Sequence, residues 1–198
     1  MSVRVHLMRH GAHGGVGRML TGRNDDGGLT EAGRRQVEAA AAGMKPFDVV
    51  RIEASPRRRT QETAQIIADT LGVPVLTVDA LDELDFGAWT GRSFAALDQD
   101  PSWHAWNSRR SVAVPPGGEP MTAAVRRVSA HLNMLAHTDA GAAIVCISHC
   151  DIIRGAIAHY LGLGLDHLLN FDIDPGSIST LLVGDWGGRI TSLNRSCE

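Results

Sequence analysis

Short apolar strands alternate with helical segments along most of this chain, and this alternation constrains its fold more than any other feature. The pattern is clearest at Ala142–Ile147, a fully apolar run typical of a strand buried on both faces of a parallel sheet. A helix is predicted to follow, from about Cys150 to Leu161. Repeated alternation of this kind predicts an α/β fold of three layers, α/β/α, in which helices cover both faces of a mostly parallel central sheet.

The remaining predicted elements fit the same scheme. The strands are Val3–Met8, Phe47–Ile52, Val73–Val78, Ser177–Val183 and Arg189–Leu193; the helices run from the N-cap Thr30 to about Met44, from Ser55 to about Leu71, and over Met121–Ala136. In the second of these helices Ser55 is the predicted N-cap and Pro56 the first helical residue.

The segment from Leu84 to Gly118 departs from the alternation. It holds three of the four tryptophans, several short helical pieces and a Pro-Pro-Gly-Gly turn. We interpret it as a lid-like excursion, at about residues 84–118, within a single domain spanning residues 1–198. In open α/β sheets ligands bind beyond the carboxyl ends of the strands, and such an excursion is suited to cover that edge.

Composition excludes several classes of protein. A net charge of −3 argues against a nucleic-acid binder, and the sequence lacks an apolar run long enough to cross a membrane. The three cysteines form no CxxC pair, so neither a disulfide framework nor a structural zinc site is predicted, and the cytoplasm is the expected compartment. Lys45 is the sole lysine and follows no glycine-rich loop, which excludes a Walker-type phosphate loop and argues against a Schiff-base enzyme.

Two histidines follow two of the predicted strands. Arg9-His10-Gly11 comes where the first strand ends, and Ser148-His149 directly follows Ala142–Ile147. Because the carboxyl ends of parallel strands meet at one edge of a sheet, these side chains are expected to lie together. A third point at that edge where a strand ends and a helix begins carries the consecutive arginines 57–59. Histidines and arginines around the N-terminus of the following helix suggest a phosphate site.

Periodicity does not decide which of these arginines faces the site. The apolar positions Ala64, Ile67 and Leu71 turn Arg58 away from the core. They leave both Arg57 and Arg59 as candidates and favour Arg57 slightly.

A series of motifs resembles the histidine phosphatase superfamily (branch 1), whose fold is phosphoglycerate mutase-like. The motifs are, in chain order, Arg9-His10-Gly11, Leu20–Asp25 (LTGRND) with Leu29–Gly33 (LTEAG), Ser55–Ala64 (SPRRRTQETA), Leu81–Gly91 (LDELDFGAWTG), Gly117-Gly118-Glu119 and Ser148-His149. The segment Phe86–Gly91 is more similar to the phosphatase branch than to the mutases.

The resemblance implies a metal-independent phosphomonoester hydrolase that works through a phosphohistidine on His10. The implied catalytic residues are His10, Arg9, Arg59, Glu83 and His149, and the implied substrate-binding residues are Thr21, Gly22 and Arg23. The bidentate forks of the arginines suit phosphate, His149 is implied to donate to a phosphate oxygen, and Glu83 to act as acid and then base. Neither a metal nor a cofactor is implied. The expected partner is a small phosphorylated substrate.

Several features near these motifs leave questions open. Ala12 and His13 follow Gly11 where the family commonly has Glu and Thr or Ser, and the Asn that follows there and contacts phosphate is missing; Thr21, Arg18 or Arg23 are possible replacements. Repulsion from Asp82 and Asp85 is expected to raise the pKa of Glu83. Cys150, at a helix start where a thiol pKa can fall, is interpreted as a packing residue, and Arg109 and Arg110 as a solvated face of the lid rather than a second anion site.

Three other functions are alternatives to phosphomonoester hydrolysis. A phosphoglycerate-type mutase would return the phosphoryl group to substrate, and a non-catalytic phosphoester-binding protein would keep the fold without turnover. A dinucleotide-binding enzyme is disfavoured because Gly11, Gly14, Gly15 and Gly17 do not form GxGxxG. The natural substrate and the oligomeric state are not determined by the sequence.

Overall fold

The computed structural model describes residues 2–24 and 27–196; Asp25 of the second motif and Cys197 lie outside this part of the chain. The strands are β1 (Ser2–Arg9), β2 (Val49–Ala54), β3 (Val75–Thr77), β4 (Ala143–Ser148), β5 (Ile178–Gly184) and β6 (Gly187–Arg195). The helices are α1 (Glu31–Met44), α2 (Arg58–Leu71), α3 (Phe94–Leu97), α4 (Pro101–Ser108), α5 (Met121–Thr138) and α6 (Cys150–Leu161).

The six strands form one sheet in the order β3-β2-β4-β1-β5-β6. The first four are parallel, whereas β5 runs antiparallel to β1 and β6 antiparallel to β5. In the register of the central pair, Arg9 stands opposite Ser148, so β1 and β4 end at the same edge. The predicted α/β fold with a mostly parallel central sheet is confirmed.

Side chains of the central strands alternate between two hydrophobic layers, which is why both faces of the sheet carry helices. Leu7 and Cys146 face the layer formed with α5 and α6, whereas Met8 and Val145 face the layer formed with α1 and α2. Among the described residues, no helix is both long enough and apolar enough to cross a membrane.

Two predicted boundaries differ from the structure. Strand β2 begins at Val49 rather than Phe47, because Lys45–Phe47 forms a 3₁₀ turn that ends at Asp48 in the left-handed region, with φ at 49°. The predicted cap of α2 is wrong: the helix begins at Arg58, and its N-cap is Arg57, whose side chain makes no capping bond. The Ser55 hydroxyl accepts a long bond from the Arg57 amide at 3.4 Å and otherwise contacts Asp82 and His149, as described below.

The loop after β1 packs tightly against α1. A Cβ atom at Gly11 would lie 2.7 Å from the Gly33 carbonyl oxygen and 2.8 Å from Val37 Cγ2, and one at Gly33 would overlap the Ala12 carbonyl. Thr30 caps α1 as predicted, since its Oγ1 accepts from the Gly33 amide at 3.0 Å. These contacts fix the backbone that carries His10.

The excursion at 84–118 carries α3 and α4 and packs over the carboxyl edge of the sheet around an aromatic cluster. Trp89, Trp103 and Trp106 have ring centroids 5.3 to 5.9 Å apart, and Phe86 meets Trp106 edge to face at 5.6 Å. Aromatic contacts of this kind make the excursion a packed wall of the pocket rather than a loose loop.

Candidate active site

A pocket of about 290 Å³ opens at the carboxyl edge of the sheet, where β1, β4 and the start of α2 meet. Its wall contains, among the residues predicted for the site, Arg9, His10, Thr21, Gly22, Arg59 and Glu83. His149 lies directly behind this wall, fully buried, with its ring centroid 5.3 Å from that of His10. The structure thus brings seven of the eight predicted site residues together.

His10 is held as a neutral imidazole with one defined tautomer. Its Nδ1 lies 2.9 Å from the Gly11 carbonyl oxygen, so Nδ1–H donates to that oxygen and Nε2 keeps its lone pair. Burial, followed by the charges of Arg59 and Arg9, holds the pKa of His10 well below its ordinary value. A buried, neutral ring with a free electron pair on Nε2 can act as a nucleophile.

Two arginines supply positive charge to the pocket. Arg59, only 2% exposed, donates from Nη2 to the Gly22 carbonyl oxygen at 2.7 Å and from Nη1 to the Asn24 carbonyl oxygen at 3.1 Å. Arg9 donates to the Ile173 carbonyl oxygen at 2.6 Å, and within the described residues its buried Nε has no hydrogen-bond partner. Guanidinium groups fixed in this way can bind the oxygens of a phosphate.

The structure shows which of the three consecutive arginines lines the pocket. Arg59 lines the pocket, whereas Arg57 turns toward Asp82, with Nε at 2.9 Å from Oδ1. Arg58 points outward and pairs with Glu62 on the next turn of the helix. The helix begins at Arg58, later than the sequence predicts, and the apolar periodicity therefore did not identify Arg59 as the arginine that lines the pocket.

Glu83 is buried beside the two histidines. Its Oε1 accepts from the Leu84 amide at 2.9 Å, and its Oε2 lies 3.7 Å from His149 Nδ1. Burial first, and then the charge of Asp151, raise the pKa of Glu83 to about 7, against the opposing charge of Arg59. The expected direction is therefore found, but its causes are burial and Asp151 rather than the neighbours predicted from the sequence.

Of the three residues implied to bind substrate, two line the pocket and one lies behind its wall. Thr21 and Gly22 line the pocket, whereas Arg23 is absent from the described wall and binds the Glu83 carbonyl oxygen and Glu119 instead. This placement does not support a direct substrate contact for Arg23. His13 does line the wall, 7% exposed, with its Nδ1 accepting from the Gly15 amide at 3.2 Å.

The outer wall contains a charged pair that spacing in sequence could not reveal. Arg110, 4% exposed, stacks 3.9 Å above the Trp106 ring and donates to Asp151 at 2.5 Å. The interpretation of Arg110 as a solvated lid residue is wrong, because it is buried in the pocket wall. Burial and Asp151 raise the pKa of the Cys150 thiol to about 11, which agrees with a packing role rather than a reactive thiol.

The fold and the grouping of these side chains agree with the family that the motifs resemble. Residues 5–196 match the histidine phosphatase superfamily (branch 1), and the chain belongs to this family.

The chain is similar to several proteins of this family whose names differ. Bifunctional protein Rv2228c of Mycobacterium tuberculosis is 34% identical over 180 residues, which cover 89% of this chain and 49% of that protein. The chain therefore spans about half the length of this curated relative. Probable phosphoglycerate mutase GpmB of Yersinia pestis is 32% identical over 165 residues, 81% of this chain and 76% of that one. The structure of mycobacterial glucosyl-3-phosphoglycerate phosphatase with VO3 is similar at a TM-score of 0.87 and 25% identity, covering 98% of this chain and 99% of that one.

Proposed function

We propose that this protein hydrolyses small phosphomonoesters through a covalent phosphohistidine on His10, without a metal ion. The observation that carries the proposal is the combination, in one buried pocket, of a neutral His10 anchored through Nδ1, two arginines, and a carboxyl group with a pKa of about 7. Each of these groups has a distinct chemical task.

In the first step the lone pair on His10 Nε2 attacks phosphorus, and the bond from phosphorus to the ester oxygen breaks. The leaving oxygen takes the proton of Glu83, so an alcohol departs and a phosphohistidine remains. Arg9 and Arg59 stabilise the charge on the equatorial oxygens, which is the main catalytic requirement of a metaphosphate-like transition state.

In the second step water attacks phosphorus, and the bond from phosphorus to Nε2 breaks. Glu83, now ionised, accepts the proton of that water, which restores the acid and the neutral imidazole. A carboxyl group with a pKa near 7 serves both steps because neither of its protonation states is strongly disfavoured at neutral pH.

The pocket volume bears on the substrate class. At about 290 Å³ it is at the lower end of the range for small-molecule sites, so a compact phosphorylated metabolite fits better than a phosphoprotein loop. Val16, Met19 and Phe94 give part of the wall an apolar character, while Arg110 and Asn107 offer polar groups beyond the phosphate position.

The proposal is tested by hydrolysis of p-nitrophenyl phosphate in excess EDTA. Wild type is expected to turn over and to form an alkali-stable phosphoenzyme from labelled substrate, whereas His10→Ala does neither. His137→Ala is the matched control, since this histidine is exposed in the last turn of α5, outside the described pocket wall. Turnover by His10→Ala above a few per cent, or a wild type inhibited by EDTA, would overturn the proposal.

A mutase is the second candidate, because of the similarity to the protein named probable phosphoglycerate mutase GpmB. The two reactions differ in the acceptor of the phosphoryl group. A mutase returns it to a substrate hydroxyl, so 3-phosphoglycerate would be converted to its 2-isomer without release of inorganic phosphate. Release of phosphate from esters with no second hydroxyl supports the hydrolase.

A further inference from the structure

Ser55 lies between His149 and Asp82, and all three side chains are buried. His149 Nε2 is 2.8 Å from Ser55 Oγ, which is 3.1 Å from Asp82 Oδ1. The same oxygen of Asp82 accepts from Arg57 Nε at 2.9 Å and from the Glu83 amide at 2.8 Å. An ionised carboxylate only accepts, so Ser55 must donate to Asp82 and is left to accept from His149.

The opposite side of the ring fixes the tautomer of His149. Arg59 Nη2 lies 3.0 Å from His149 Nδ1, and a guanidinium group only donates. Nδ1 therefore holds a lone pair, and the neutral ring carries its proton on Nε2. All the bonds run in one direction, from Arg59 through His149 and Ser55 to Asp82.

In this arrangement His149 presents an acceptor, not a donor, on the side that faces the arginines of the pocket. Burial first, and then the charges of neighbours that include Arg59, Arg57 and Arg9, hold the pKa of His149 well below its ordinary value. The carboxyl group of Glu83 also faces the ring, with Oε2 3.7 Å from Nδ1. His10 is also next to the ring.

A bound phosphate dianion would favour the protonated form of the His149 ring. Its charge compensates Arg9 and Arg59, and its oxygens compete with His149 Nδ1 for the Nη2 donor of Arg59. Nε2–H would keep its hydrogen bond to Ser55, and the Ser55 hydroxyl its hydrogen bond to Asp82. A second proton, added at Nδ1, would therefore form an imidazolium whose Nε2–H already has an acceptor.

We propose that Ser55 and Asp82 are positioning residues that allow His149 to take up one proton at Nδ1 when phosphate binds, converting it from an acceptor into a charged donor. The proton comes from solvent, and no covalent bond changes. This inference rests on the proposed function, because it assumes that phosphate occupies the pocket.

Inorganic phosphate is the probe, and ¹⁵N NMR of histidine-labelled protein is the readout, with the His149 signals identified by their loss in His149→Gln. Free wild type is expected to show a neutral Nε2–H ring, and the phosphate complex an imidazolium. Calorimetry in two buffers of different ionisation enthalpy should show a corresponding proton uptake. That uptake should persist in Glu83→Gln, which removes the neighbouring group able to take a proton near pH 7.

Ser55→Ala leaves Nε2–H without an acceptor, so the imidazolium should not form, and phosphate affinity should fall about 10- to 100-fold, the range of a lost charge-assisted bond. Should Ser55→Ala not fold, Asp82→Asn preserves the shape of the carboxyl group and removes its charge, and it should lose the proton uptake while retaining the fold. Circular dichroism separates these cases.

The outcomes distinguish the two proposals. A wild type that neither binds phosphate nor turns over p-nitrophenyl phosphate defeats the proposed function. A wild type that does both, while His149 remains a neutral Nε2–H ring in the complex or the foldable variants take up the same proton, defeats only the inference about Ser55 and Asp82.

Discussion

The pH dependence of hydrolysis follows directly from the environment of Glu83. The structure raises its pKa from 4.5 to about 7, chiefly by burial and then by the charge of Asp151. Because the first chemical step needs the protonated acid, kcat/KM should be on its plateau below pH 7 and fall tenfold per pH unit above it. By pH 9 the loss should be about 100-fold.

The raised pKa of Glu83 sets how much of the acid is protonated at neutral pH. A rise of about 2.5 units corresponds to roughly 3 kcal/mol of preference for the protonated form. At pH 7 about half of the Glu83 carboxyl is then protonated, compared with about 0.3% for a carboxyl of ordinary pKa. Burial therefore increases the fraction of competent acid roughly 150-fold at neutral pH.

The assay is the pH profile of kcat/KM between pH 5 and 9.5 for an alkyl phosphate, whose poor leaving group makes the acid necessary. Glu83→Gln should lose about 10²- to 10⁴-fold in rate, and its kcat/KM should fall less steeply above pH 7 than that of wild type, because it lacks the Glu83 proton. With p-nitrophenyl phosphate, whose leaving group is good, the penalty should be smaller. An alkaline limb that is absent from wild type, or unchanged in Glu83→Gln, refutes this account of the acid.

Three further outcomes are expected. Arg59→Ala should lower kcat/KM at least 100-fold, whereas Arg57→Ala should cost less, and steady-state kinetics with phosphate inhibition would show an inverted order if the assignment is wrong. Burial lowers the pKa of His6 to about 4, so as pH falls below 6.5 the unfolded chain binds a proton there that the native state does not. Because other buried groups titrate in the same range, the loss in free energy of unfolding between pH 7.5 and 5, measured by urea unfolding, should be about 2 kcal/mol smaller in His6→Gln than in wild type. Gly33→Ala should lower the urea midpoint sharply because its Cβ overlaps the Ala12 carbonyl, and an unchanged midpoint would contradict that packing.

The sequence predicts those parts of the site that follow from topology. His10 and His149 lie at the ends of apolar strands, and parallel strands place their carboxyl ends at one edge, so the proximity of the two histidines needs only the strand assignment. Residue type and position predict Thr30 as the cap of α1, and the hydrogen bond from the Gly33 amide to its Oγ1 confirms this.

The remaining features depend on contacts that spacing does not encode. Ser55 resembles an N-cap, but its hydroxyl is bound to Asp82 and His149, and α2 starts at Arg58 instead. The arginines therefore take positions around the helix axis that differ from those predicted. Arg110 and Asp151 are 41 positions apart and meet because the excursion folds onto the start of α6. The motif resemblance selected Arg59 over its neighbours where the helical pattern did not.

Arg9 and Arg59 stand in the wall of one pocket, beside the neutral rings of His10 and His149, so the site places two positive charges close together. Any anion that fits there is a counter-ion for the native state alone, since the unfolded chain spreads these groups along 140 residues. Free phosphate at 100 times its dissociation constant would add about 2.7 kcal/mol to the free energy of unfolding. The same positive charges that suit the pocket to a phosphate ester thus make the stability of the protein depend on the concentration of phosphate around it.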